Sequence, residues 1–198
     1  MKNLLIDYIT FDVTPQMIAE SMEKNNGRLI VTGVLQRAEA KNQNGRVYPR
    51  PILEREVEKY ITDSVKQRRA LGELDHPDSS IINLNNVSHN VIDMDWKGND
   101  LVGRVEVLTT PAGNILRELF KAGIKLGISS RGMGSVKQLD ERTVEVQDDF
   151  ELIAFDFVSN PSTHGAFLHP MNESVGHKIV DKYENVNKII TDILTGFN

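Results

Sequence analysis

Apolar and polar residues alternate along the middle of the chain and recur at helical spacing on either side of it. Ile92, Met94 and Trp96 alternate with Asp93 and Asp95, a period of two that predicts a strand with one dry and one wet face. Val87 to Trp96 and Leu101 to Leu108 flank the turn cluster Lys97-Gly98-Asn99-Asp100, which predicts a hairpin. Arg28 to Leu35, Leu71 to Leu74, Lys125 to Gln138 and Arg142 to Asn160 read as further strands, with Leu139-Asp140-Glu141 turning between the last two. Thr14-Pro15 starts a short helix through Glu23, closed by Asn25-Asn26-Gly27. After Pro51, the residues Ile52, Leu53, Val57, Tyr60, Ile61 and Val65 recur at helical spacing. Thr110-Pro111 is an N-cap with proline at the first helical position, opening a helix to about Lys121. From Glu173 onward, Val175, Ile179, Val180, Tyr183, Val186, Ile189, Ile190, Ile193 and Leu194 mark a long amphipathic helix.

Strands dominate the middle without the strand–helix alternation of a parallel sheet, so the fold class expected is α+β. Residues 1–26 read as an N-terminal arm, 27–172 as the main domain, and 173–198 as a C-terminal helix that packs on the body or on a partner, a second copy of the chain included. With 198 residues the chain can hold one real core. Formal net charge is −5 with both signs interspersed, which argues against a nucleic-acid binder held by phosphate contacts. No cysteine is present, so disulfides, thiolate metal sites and thiol catalysis are excluded. The longest apolar runs are too short to cross a membrane.

The residues that carry chemistry fall in two short words, Gly72-Glu73-Leu74-Asp75-His76-Pro77 and Gly127-Ile128-Ser129-Ser130-Arg131-Gly132. Pro77 interrupts regular pairing, so His76 belongs at a strand end or loop mouth, where an imidazole can take and return a proton. Ser130 offers a hydroxyl, and Gly132 two positions on allows close approach by a substrate backbone. Taken alone, Ser129 and Ser130 also read as ordinary strand serines. Asp156 stands between Phe155 and Phe157 in an apolar run; a buried carboxylate needs a partner, and orienting an imidazole would supply one, while an outward-facing Asp on an edge strand is the plainer alternative. His89 and His164 are rivals for that role. Asn160 to Ala166 is a rigid polar loop that could present N–H groups as an oxyanion nest or form a simple surface turn. Asp75, His76 and Asp78 form a partial metal-ligand set, but neighbours on a strand point to opposite faces and no second histidine clusters with them.

An ordered set of words then adds to this reading: Gly33-Val34-Leu35-Gln36-Arg37, Asn42-Gln43-Asn44-Gly45-Arg46-Val47-Tyr48-Pro49, Gly72 to Pro77, Ser88-His89, Gly127 to Gly132, and Asp156-Phe157-Val158-Ser159-Asn160-Pro161-Ser162. Together, from about residue 28 to 170, they resemble the prohead (capsid maturation) proteases of large tailed bacteriophages. The resemblance implies a fold similar to herpesvirus assemblin, a bent, mostly antiparallel β-barrel surrounded by helices. It implies a serine endopeptidase, without cofactor, that works inside the immature capsid in the host cytoplasm, cleaving internal scaffold and capsid proteins and itself. By carry-over, His76 is the general base, Ser130 the nucleophile and Asp156 the third member, with the oxyanion loop at Thr163, His164 and Gly165. The family's myovirus branch prefers Glu before the cut with an aliphatic residue two positions earlier. Ile18-Ala19-Glu20 fits this in the expected arm, making Glu20 a self-cleavage site. Arg131 is a candidate for the cationic pocket that such a preference needs. The rival readings are a non-catalytic scaffold-binding capsid protein and a metal-dependent hydrolase using Asp75, His76 and Asp78.

Overall fold

The elements run β1 (Asn3–Phe11), α1 (Pro15–Lys24), β2 (Leu29–Arg37), β3 (Arg46–Val47), α2 (Arg50–Tyr60), β4 (Leu71–Glu73), β5 (Val87–Lys97), β6 (Asp100–Val107), α3 (Pro111–Lys121), β7 (Leu126–Gly134), β8 (Val136–Asp140), β9 (Thr143–Val146) and β10 (Glu151–Val158). They come from a computed structural model that describes residues 2–75, 77 and 79–159. His76, Asp78 and residues 160–198, with the expected C-terminal helix and oxyanion loop, lie outside the described residues. The chain divides into a body, Met1–Phe167, and a second unit, Leu168–Asn198.

The expected hairpin is β5–β6, turning at Gly98 with φ +60°, a conformation glycine adopts without a Cβ penalty. It forms the centre of a four-stranded sheet ordered β2-β6-β5-β4. A second sheet is ordered β1-β7-β10 and a small third one β3-β9-β8. All pairs are antiparallel except β3 with β9. The fold is therefore α+β and mostly antiparallel, but among the described residues the strands form separate sheets and no closed barrel. The two large sheets are joined by the parallel bridge Leu74–Phe157, extended by the Asp75 N–H donating to the Phe157 carbonyl at 2.7 Å. There β4 approaches so closely that a Cβ on Gly72 would stand 2.0 Å from the Phe155 carbonyl oxygen and 2.2 Å from His89 Nε2.

The core lies between the two large sheets, with Phe157 at its centre. Phe11, His89 and Phe120 meet its ring edge-on at centroid distances of 5.2, 4.7 and 5.4 Å. Each such buried phenylalanine contributes about 2–3 kcal/mol by leaving water.

Three sequence expectations change. Residues 1–26 are not an arm: β1 pairs with β7 from Asn3–Gly134 through Phe11–Leu126, and α1 buries Ile18 and Ser21 against the body. Asp7 breaks the apolar patch in the sequence, yet it is buried and its charge is met. Arg46 Nη1 donates to its Oδ1 at 3.0 Å, Asn44 Nδ2 donates to the same oxygen at 2.8 Å, and the Tyr48 hydroxyl donates to Oδ2. The run 125–138 is two strands, because the Ser135 N–H and hydroxyl both turn to Asp149 Oδ1, each at 2.9 Å. The run 142–160 is likewise split into β9 and β10, with Phe150 buried between them against Gly132 and Gly134.

Candidate active site

The serine pair lies on β7, the middle strand of the β1-β7-β10 sheet. Residues directly opposite in an antiparallel pair share a face, and successive residues alternate faces. Ser130 stands opposite Asp7 on β1 and Phe155 on β10, whereas Ser129 stands opposite Tyr8 and Asp156. The pleat thus sends the two serines to opposite sides of the sheet.

Ser130 faces the core with Ile128, Phe155 and Phe157. It is 2% exposed, its Oγ accepts a 2.7 Å hydrogen bond from Gln36 Nε2, and its hydroxyl leans on the Asp7 main-chain carbonyl at 3.4 Å. These contacts tie β7 to β2 and β1 and occupy the hydroxyl. Ser129 is equally buried, yet among the described residues its Oγ has no hydrogen-bond partner. A buried hydroxyl left unpaired costs free energy, so such a group calls for an explanation.

On the Ser129 face the structure assembles three charged side chains with no exposed surface, Glu73 from β4, Arg131 from β7 and Asp156 from β10. Arg131 Nη2 donates to Glu73 Oε1 at 3.0 Å and to Asp156 Oδ1 at 3.2 Å, while Nη1 donates to the Ser79 carbonyl at 2.7 Å. Asp156 Oδ1 also accepts the Glu73 main-chain N–H at 3.0 Å. Arg131 Nε lies 2.9 Å from Asp156 Oδ2, but the N–H is not aimed at it, and Oδ2 accepts no hydrogen bond among the described residues. The carboxylate is therefore pinned through Oδ1 and keeps hydrogen-bonding capacity on Oδ2. Burial pushes the Asp156 carboxyl up to about 6, with Arg131 holding it from going further. Burial also raises the Tyr60 hydroxyl on α2, with the Asp156 charge adding to it. Glu73 Oε1 accepts the Asn83 N–H at 3.1 Å, so both Glu73 and Arg131 tie down the segment after β4.

The structure brings Asp156 and Arg131 together and does not bring Ser130 to either. Arg131 has no exposed surface to line a specificity pocket; its guanidinium is engaged by Glu73, Asp156 and the Ser79 carbonyl. His89 is a core residue. The Phe155 carbonyl can only accept, so Nε2 carries the proton and donates at 2.9 Å, and Nδ1 accepts from the Ser88 hydroxyl at 2.8 Å. Burial drives its pKa down to about 4, leaving a neutral imidazole with both nitrogens occupied. His76, Thr163, His164, Gly165 and Asp78 lie outside the described residues. Glu20 is exposed, but the bond after it is in the middle of α1, and Ser21 is buried with its hydroxyl donating to the Ile30 carbonyl at 2.6 Å. Sequence reasoning did not single out Ser129 as the serine beside Asp156, and it gave Glu73, although inside the word Gly72 to Pro77, no role in the site.

A profile of the family described as prohead core protein serine protease matches residues 10–176. The prohead core protein protease of Enterobacteria phage T4 is 37% identical over 145 residues, covering 72% of this chain and 68% of that protein. The solved structure of the bacteriophage T4 capsid assembly protease, gp21, is similar with a TM-score of 0.72 at 33% identity, over 81% of this chain and 99% of that one. The β7 strand with its serine pair and the buried carboxylate beside it fall inside all of the family span, and the chain belongs to the prohead core protein serine protease family.

Proposed function

We propose that this chain is a serine endopeptidase of phage prohead maturation with Ser129 as nucleophile, His76 as general base and Asp156 as the carboxylate that orients the imidazole. One observation carries the assignment: the buried Ser129 hydroxyl, unpartnered among the described residues, lies opposite a carboxylate whose Oδ2 accepts no hydrogen bond among them. Further support comes from the chain on either side of His76. The Asp75 N–H donates to the Phe157 carbonyl, and the Ser79 carbonyl accepts from Arg131.

In this mechanism His76 removes the Ser129 proton as Oγ attacks the scissile carbonyl, giving a tetrahedral oxyanion. Asp156 Oδ2 holds the imidazole tautomer and steadies the imidazolium. The C–N bond then breaks as His76 protonates the leaving amine, and water repeats the sequence to release the acid and free Ser129. N–H groups at Thr163 to Gly165 are proposed for the oxyanion. The proposed substrates are internal scaffold and capsid proteins, cut after Glu inside the prohead, as the family resemblance implies; that the similar T4 protein is a capsid assembly protease supports capsid proteins as the substrate class. An assemblin-like strand arrangement belongs to the same proposal, supported by the Leu74–Phe157 bridge between the two large sheets.

The test is cleavage of the partner scaffold protein followed by intact-mass spectrometry. Ser129→Ala is expected to lower kcat/KM by about 10⁴ or more. Ser130→Ala is expected to keep the chemistry and lose about 1–3 kcal/mol of stability, because it leaves Gln36 Nε2 buried without an acceptor. A folded, inactive Ser130→Ala beside an active Ser129→Ala would reverse the assignment. Scaffold binding without cleavage by the wild type would favour the non-catalytic reading.

A further inference from the structure

Glu73, Arg131 and Asp156 have no exposed surface. Two carboxylates face one guanidinium, so the cluster carries one uncompensated negative charge when all three are ionised. Buried charges are retained only when paired. Among the described residues Glu73 Oε2 and Asp156 Oδ2 are both without hydrogen-bond partners, so the unmet acceptor capacity sits on the two carboxylates. Among the described residues, the groups at the cluster are Arg131 and Ser129 from β7, Asp156 from β10 and Glu73 from β4, with the Tyr60 hydroxyl of α2 within electrostatic reach; Asp75 lies exposed just beyond β4.

We infer that Glu73 is a positioning residue of the protease, a second buried acid that occupies Arg131 so that the negative charge of Asp156 is left to balance a protonated catalytic histidine. The inference rests on the assignment of His76 and Asp156 given above. Without Glu73, Arg131 would neutralise Asp156 by itself, and an imidazolium beside them would be a surplus charge. With Glu73, the assembly becomes neutral at the moment the histidine takes the serine proton. That is charge stabilisation arranged in advance for the transition state. Arg131 fixes the geometry: Nη2 bridges the two carboxylates through Glu73 Oε1 and Asp156 Oδ1, while Asp156 Oδ2, 2.9 Å from Arg131 Nε, accepts no hydrogen bond among the described residues. The Glu73 side chain also holds the Asn83 N–H, a structural duty that the isosteric amide can keep, so charge and shape are separable.

The experiment compares Glu73→Gln with Asp156→Asn in two readouts. In the active chain, kcat/KM is measured against pH on a peptide with Glu before the cut. Glu73→Gln is expected to lower kcat about tenfold with little change in KM, and to move the acidic limb to lower pH, since a lost negative charge makes the imidazolium easier to deprotonate. In the Ser129→Ala background, where no turnover is required, the His76 titration is followed by NMR. A His76 pKa lowered by about half a unit or more in both variants supports the inference. A His76 pKa lowered by Asp156→Asn and unmoved by Glu73→Gln overturns it and leaves the triad standing. A His76 pKa that responds to neither overturns the triad and the inference together. A merely structural Glu73 would change the melting temperature without moving the titration.

Discussion

At the scale of single residues, the two perturbed groups flanking Phe155 act on stability in opposite directions. His89 titrates near 4 in the fold against about 6.5 in an unfolded chain. Between those values the unfolded state binds more protons, so its contribution is complete above pH 6.5 and is lost as pH falls toward 4. Burial raises Asp156 to about 6 from its ordinary value of 3.8. There the folded state binds more protons, so the buried acid contributes most below pH 4 and that contribution is lost as pH rises through 6. Each is on the order of 3 kcal/mol, and the two nearly cancel. Denaturant titrations at pH 4, 5 and 6.5 are therefore expected to be nearly level in the wild type. They should slope downward with rising pH in His89→Gln and upward in Asp156→Asn. Which serine faces Asp156 was also readable at this scale. Ile128 is a core residue, so Ser129 must face away from the core, as Asp156 must between two core phenylalanines. What no spacing showed was that Arg131 would turn inward to Glu73, because that depends on how β4 docks on β10.

At the scale of elements, the local signals held where local chemistry decides. Thr110 caps α3 as its sequence predicts, its Oγ1 accepting the Gly113 N–H at 3.1 Å and donating to the Val87 carbonyl. The same hydroxyl therefore fastens the helix to β5, on which Leu116 and Phe120 are buried. Thr110→Ala is expected to cost about 1–2 kcal/mol, read as a shift in denaturation midpoint, and Thr110→Ser should recover most of it. The hairpin β5–β6 and the start of α2 were legible for the same reason. β1 was not, because Asp7 interrupts its alternation and the groups that satisfy it, Asn44, Arg46 and Tyr48, lie in a distant word of the chain. That word thus has a structural reading: it receives the first strand. The two-residue β3, paired parallel with β9, is too short to leave a periodic trace.

At the scale of the whole molecule, the placement of β1 changes what cleavage after Glu20 would do. The peptide bond lies within α1, so cutting requires local opening of that helix. Nine residues of β1 remain paired with β7 on the far side of the cut. A chain cleaved there is expected to keep residues 1–20 bound. Co-elution of the fragment with the body in size-exclusion chromatography checks this, and release of the fragment under native conditions would contradict it. An uncut Glu20→Ala chain with full activity would show that processing there is dispensable. The α+β class and the strand-rich middle were evident from the chain, whereas the sheet order was not, since pairing between its first and last described strands and β7 is a matter of long-range contact.

The topology also bears on timing. The strand that carries the serines is flanked by the earliest strand of the chain and by the latest of those described. During synthesis β1 can meet β7 once residue 134 is free, but Asp156 takes its place opposite Ser129 only after β10 has followed. A nascent chain holds the serine without the acid beside it, and contacts of such long sequence separation are slow to close. If the site is the one proposed, the order of the strands sets a delay between synthesis of the serine strand and completion of the catalytic pair.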